Sequence, residues 1–260
     1  MPERSLLICG NQRSGTTLLC RALEDTGVSG RPEEYFLAED PVQLPDWRFW
    51  EDGFYAVQHG AKDREDYLRI VYGLGTTPNG VFAAKLMWNN VPWAVRKFQE
   101  MPSFAGMDRT AIFSAAFPGL GVVNVTRRDR VAQAVSWARM TQDGVWVVSE
   151  TEPAIPARTP EYHFELISAL ERLITAGEEQ WRLLYEELGL TPYEVVYEDL
   201  VAPGGLEAAV AGVLERMGLE MPGDLLLRPR TQRQADSLNA EWTARYLVER
   251  APAGLTSQPE

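Results

Sequence analysis

A short apolar run from Ser5 to Cys9 stops at Gly10, and between Thr16 and Thr26 the residues Leu18, Leu19, Ala22 and Leu23 recur at helical spacing until Gly27 breaks the pattern. The intervening Gly10-Asn11-Gln12-Arg13-Ser14-Gly15-Thr16-Thr17 is therefore a tight loop between a strand and a helix. Such a junction leaves backbone N–H groups and the positive end of a helix dipole facing outward, which suits an anion. The rest of the chain extends this unit. Val81 to Leu86 and Gly121 to Thr126 are further strand candidates, and the second leads into a helical pattern carrying Val131, Val135 and Ala138 on one face. Glu161 to Leu188 reads as a long helix with Phe164, Ile167, Leu170, Ile174, Trp181 and Leu184 near one side and Gly177 as a point of bending. Pro192 precedes a late strand, Tyr193 to Tyr197, and a short helix spans Leu206 to Met217 before a polar C-terminal section. Alternating strands and helices predict an α/β fold with a mostly parallel central sheet, and ligands at the carboxyl ends of its strands.

One domain is expected over residues 1–250, with 41–78 as an inserted cap or loop holding Trp47, Phe49, Trp50, Phe54 and Tyr55, and with 251–260 as a flexible tail. A chain of 260 residues buries enough surface to need neither disulfide nor metal. Cys9 and Cys20 have no CxxC spacing and no nearby histidine, so they read as buried free thiols. The net charge of −12 excludes nucleic acid as the main partner and disfavours an anionic membrane. Lysine occurs only at 62, 85 and 97, and arginines cluster at Arg127-Arg128-Asp129-Arg130 and at Arg228-Pro229-Arg230 with Arg233. An acidic chain that gathers arginines either binds a small polyanion or pairs them with its own carboxylates. The N-terminus lacks the features of a signal peptide and no apolar run reaches membrane-spanning length, which predicts a cytoplasmic protein.

The loop has the outline of the nucleotide-binding P-loop, but Thr16 stands where that motif has the lysine that reaches the outer phosphates. Arg13 sits two residues before Gly15 instead. The string Gln12-Arg13-Ser14-Gly15-Thr16-Thr17 resembles the 5′-phosphosulfate loop of sulfotransferases, usually Pro-Lys-Ser-Gly-Thr-Thr, with Arg13 in place of the lysine. That resemblance implies a P-loop-like three-layer sandwich and 3′-phosphoadenosine 5′-phosphosulfate (PAPS) as donor. A second motif agrees with it. Arg128, after the strand ending at Thr126, and Ser136, eight residues on, match the pair that holds the donor's 3′-phosphate in sulfotransferases. A guanidinium at a strand end supplies forked, charge-assisted bonds that a hydroxyl two turns into the next helix can complete.

Gly30-Arg31-Pro32-Glu33-Glu34-Tyr35-Phe36, Ala84-Lys85-Leu86-Met87-Trp88 and Arg233-Gln234-Ala235-Asp236 with Trp242 and Arg245-Tyr246 together resemble the bacterial trehalose 2-sulfotransferase family. Tyr197-Glu198-Asp199-Leu200 is common to sulfotransferases more widely. The resemblance covers most of the chain and is weakest at 41–78 and 148–161. It implies a carbohydrate acceptor and a homodimer, and it maps the general base to Glu34, which would accept the acceptor's hydroxyl proton. Glu33 stands where the family often has an uncharged residue. Consecutive extended residues face opposite ways, so only one of the two glutamates enters the site. Arg13 is expected to neutralise the leaving phosphate during in-line transfer, without a metal; His59 and His163 are isolated. Tyr35 and Trp88 are assigned to the acceptor side; Lys85 is placed to bond the acceptor or a donor oxygen, with structural pairing an equal reading. Arg233 is placed on the donor, and Trp137 and Trp242 are further stacking candidates. Two other readings stay open, a divergent P-loop kinase and a non-catalytic nucleotide-binding partner.

Overall fold

A computed structural model describes residues 1–37, 58–144, 159–223, 227 and 237–251. Four strands, β1 (Arg4–Gly10), β2 (Val81–Met87), β3 (Leu120–Thr126) and β4 (Tyr193–Val196), form one sheet in the order β2-β1-β3-β4. Every pairing is parallel, and at the carboxyl end Gly10 lies level with both Met87 and Val125. This is the expected P-loop-like three-layer α/β sandwich.

The strands read as unbroken apolar runs because both faces of the sheet are buried. On one face Leu7, Cys9, Phe82, Ala84, Leu86 and Val122 pack against α2 (Arg64–Gly75), α3 (Val91–Gln99), α4 (Arg109–Ala116) and the Trp181–Tyr185 part of α6 (Phe164–Leu188). On the other face Leu6, Ile8, Val81, Ala83, Val123, Val125 and Val195 meet α1 (Thr16–Asp25) and α8 (Gly205–Arg216), which follows a one-turn α7 (Tyr197–Leu200). Alternate residues of β1 thus enter opposite cores, as the two-residue strand period requires.

The chain divides into two compact units, the first comprising 1–128 and 176–230 and the second 129–175 and 231–260. The second unit has its own core, in which Ala134, Val135 and Ala138 of α5 (Arg130–Asp143) pack with Ile167, Leu170 and Ile174 of α6 and with Trp242 and Tyr246 of α9 (Ser237–Arg250). Leu238 packs on the same core, so residues 238, 242 and 246 make an apolar stripe at four-residue spacing through what reads by composition as a polar section. Of the stretch 41–78, residues 58–78 are described, and there α2 buries Tyr67, Leu68, Val71 and Tyr72 in the sheet's core. The aromatic group from Trp47 to Tyr55, and the tail beyond Ala251, lie outside the described residues. α6 runs uninterrupted through Gly177. The glycine there makes room: a Cβ would stand 2.2 Å from Oδ1 of Asn11 in the loop after β1.

Candidate active site

The loop after β1 is held from below and from the sides. The indole N–H of buried Trp181 donates to the carbonyl of Gly10 at 3.0 Å, fixing where the strand ends. Asn11 is buried against α6, and the Gln12 amide donates to Oδ1 of Asn89 at 2.6 Å, in the turn Trp88–Asn90 that follows β2. Arg13 has φ 65°, the one residue other than glycine with a positive φ among those described. A left-handed arginine is strained, and such strain persists where the surroundings impose it. Gly15 follows with φ 95° and forms the N-cap of α1, whose start no side chain caps and whose first turn carries no acid. Unpaired amides at a helix N-terminus therefore face out of the loop. The Ser14 side chain is buried, yet its Oγ finds no hydrogen-bond partner among the described residues. A buried hydroxyl without a partner carries a desolvation cost that a bound anion would remove. Uncapped amides, a strained arginine and an orphan serine hydroxyl together form an anion cradle.

One wall of the cradle is Tyr197, opening the one-turn α7 directly after β4. Its ring lies where a Cβ on Gly15 would approach Cδ2 to 2.6 Å, and the Arg127 guanidinium stacks 4.8 Å from its centroid. The next two residues grip the end of β3. A Glu198 carboxylate oxygen accepts the Arg128 backbone N–H at 3.0 Å, and Asp199 pairs with the Arg128 guanidinium. That guanidinium is more than half exposed.

Across β2 the loop meets a charged cluster. The Lys85 ammonium lies 2.5 Å from Oε1 of Glu34 and donates to the Thr17 hydroxyl at 3.1 Å, so it ties a carboxylate to the first turn of α1. Burial works to lower the Lys85 pKa, but the carboxylates of Glu34 and Glu33 outweigh it and hold the ammonium above its ordinary value. Glu33 takes a different partner, the Arg21 guanidinium of α1, at 2.6 Å. The two glutamates leave a segment laid alongside β2, where the Lys85 N–H donates to the Glu33 carbonyl at 2.9 Å. A charged carboxylate beside an anion cradle is what a group-transfer enzyme needs in order to take a proton from an incoming nucleophile.

A family model described as Stf0 sulphotransferase matches residues 5–249. The chain belongs to the Stf0 sulphotransferase family. It is 34% identical over 269 residues to a trehalose 2-sulfotransferase of Mycolicibacterium smegmatis, covering 96% of each chain. It is 32% identical over 266 residues to a trehalose 2-sulfotransferase of Mycobacterium tuberculosis, covering 97% of each.

Within this Stf0 chain the cradle and cluster unite Gln12 to Thr17, Glu33, Glu34 and Lys85, all anticipated from sequence. Other anticipated residues take different places. Tyr35 is buried in the sheet's core, with its hydroxyl donating to the Arg31 carbonyl at 3.0 Å. Trp88 packs edge-on against Trp181 at 5.2 Å between ring centroids. Trp242 is buried in the second unit, edge-on to Tyr162, so it serves packing there and not an open stacking surface. Arg128 belongs to the first unit. Ser136 is buried in the second, on α5, whose start is capped by Asp129 accepting from the Ala132 N–H at 2.8 Å. Arg233 lies outside the described residues. Cys9 and Cys20 are buried and free, and burial pushes both thiols up to about 12. No described helix is long and apolar enough to cross a membrane. Arg21, Asn89, Trp181 and Tyr197 are parts of the site that sequence reasoning missed. Only Tyr197 carried a signal, as the head of the Tyr-Glu-Asp-Leu string.

Proposed function

We propose that this Stf0 chain transfers a sulfuryl group from PAPS to a hydroxyl of a trehalose-like disaccharide. The supporting observation is the chain of contacts from Glu34 through Lys85 to Thr17, which seats one carboxylate beside the anion cradle. The donor supplies an activated sulfuryl group whose leaving group is adenosine 3′,5′-bisphosphate. The Ser14–Thr17 segment binds the 5′-phosphate through backbone amides and the Ser14 hydroxyl, and Arg13 neutralises charge on that phosphate; Arg128 and Ser136 are each assigned to the 3′-phosphate by resemblance. Arg233 is assigned to the donor side by resemblance. Glu34 accepts the acceptor's hydroxyl proton as the oxygen–sulfur bond forms in line with the bond that breaks, and Lys85 orients the carboxylate. Most of the acceleration comes from positioning and fixed charge, as in phosphoryl transfer, and no metal takes part. By the same resemblance the enzyme is a homodimer, which sedimentation checks for oligomeric state, and its N-terminus and the lack of a spanning apolar run assign it to the cytoplasm.

The test is calorimetric and kinetic. Adenosine 3′,5′-bisphosphate is expected to bind in EDTA while magnesium ATP gives no heat; the reverse pattern refutes the donor. E34Q is expected to retain bisphosphate binding and to lose transfer to trehalose by roughly 10²–10⁴-fold. Full transfer by E34Q removes the base assignment, and loss of binding makes Glu34 structural.

A further inference from the structure

Glu33 and Glu34 are adjacent acids that the fold assigns to different cations. Glu34 meets Lys85 at 2.5 Å from β2, and Glu33 meets Arg21 at 2.6 Å from α1. The same Arg21 nitrogen also reaches Glu24, one turn along α1, at 3.1 Å. The backbone under the two acids has little freedom. Glu33 forms a parallel bridge with Ala84, and its carbonyl accepts both the Lys85 N–H at 2.9 Å and the Tyr35 N–H at 3.0 Å.

The two ion pairs belong to one electrostatic cluster. The buried Cys20 thiol feels the charges of Lys85, Glu33, Glu34 and Arg21, and Lys85 feels both glutamates. If Glu33 lost its own cation, two neighbouring carboxylates would depend on one ammonium. Like charges in that position share a proton or compete for the cation, and either outcome leaves less of the Glu34 carboxylate ionised and aimed. The Arg21 and Glu33 side chains are 39% and 33% exposed, so their pair adds little to global stability. Its effect falls on charge and orientation within the cluster.

We propose that Arg21 is a positioning residue for transfer: by holding the Glu33 carboxylate against α1, it reserves Lys85 for Glu34 and keeps the Glu34 carboxylate aimed at the cradle. The inference rests on Glu34 acting as the base.

The experiment compares pH profiles of kcat for wild type, R21Q, E33Q and R21Q/E33Q with PAPS and trehalose, alongside calorimetric binding of adenosine 3′,5′-bisphosphate and E34Q at the wild-type optimum. R21Q is expected to move the acid limb of kcat upward by about one pH unit, so that kcat on that limb falls by about tenfold at a given pH, with bisphosphate affinity unchanged. In the double variant the limb is expected to return towards that of wild type, because the unpaired acid has gone and no unpaired cation remains. An R21Q limb that coincides with wild type overturns the proposal. So does an R21Q defect that persists undiminished in the double variant, since that marks a structural role. E34Q separates the two layers: full transfer by E34Q defeats the base assignment itself, whereas an inactive E34Q beside an unmoved R21Q limb defeats only the role of Arg21. Should R21Q fail to fold, E33Q alone decides the matter. With the Arg21 cation retained and Glu33 neutral, its acid limb is expected below that of wild type, and an unmoved limb overturns the proposal.

Discussion

Replacing Gly15 with alanine perturbs the anion cradle at its tightest point. Gly15 has φ 95°, in the left-handed region, where an added Cβ costs about 1–2 kcal/mol on backbone grounds alone. The new Cβ would stand 2.6 Å from Cδ2 of Tyr197, with two further ring carbons at 3.4 and 3.5 Å. Reaching ordinary contact requires a shift of about 1 Å by the loop or the ring, an overpacking that costs about 1–3 kcal/mol. The ring cannot shift freely, because Arg127 stacks on it and the next two residues hold Arg128 by its backbone N–H and its guanidinium. Relief therefore comes from the loop, whose amides are the binding groups. If about 2 kcal/mol of that strain is expressed in the loop, affinity for adenosine 3′,5′-bisphosphate falls by about 30-fold. Titration calorimetry of G15A measures the loss, and urea unfolding measures what appears as stability. A cycle with Y197S separates the two contributions: removing the ring recovers the steric part and leaves the backbone part. A G15A protein with wild-type stability and wild-type affinity would refute the account of the cradle.

Other outcomes follow from the same geometry. K85M leaves the Glu34 carboxylate without its cation in a partly buried site, and urea unfolding at pH 8 is expected to show a loss of about 2–3 kcal/mol. The Lys85 pKa is raised on folding, so its stabilisation is complete below the unfolded value of about 10.4 and fades as pH rises through the higher folded value. The stability difference between wild type and K85M should accordingly narrow above that pH; a constant difference contradicts the pairing. W181F deletes the donor to the Gly10 carbonyl and leaves a small void, for an expected cost of about 2–4 kcal/mol in urea unfolding. Cys9 and Cys20 are expected to resist an aromatic disulfide reagent at pH 8 until the chain is unfolded, as buried thiols held near 12 carry almost no thiolate.

The parts of the site legible in sequence are those built from consecutive residues. The cradle is a local object, a strand end, a glycine turn and a helix start, so Gly10 to Thr17 carry its chemistry in order. The strands were legible because a parallel sheet covered on both faces demands unbroken apolar runs. Helices α3 and α4 went unread. Their buried residues, Val91, Ala94 and Phe98 in one and Ile112, Phe113 and Ala116 in the other, form stripes too short to stand out from the surrounding apolar residues. In α9, residues 238, 242 and 246 are diluted by polar neighbours.

Sequence alone determined the fold class, the anion cradle and the presence of two candidate carboxylates. Only the tertiary structure decided which acid meets which cation. Glu33 finds Arg21 across 12 positions, Lys85 reaches Thr17 across 68, and Trp181 fixes Gly10 across 171. Contacts at such separations are set by strand order, register and helix packing, and these emerge from the whole chain's burial, with no local pattern to announce them.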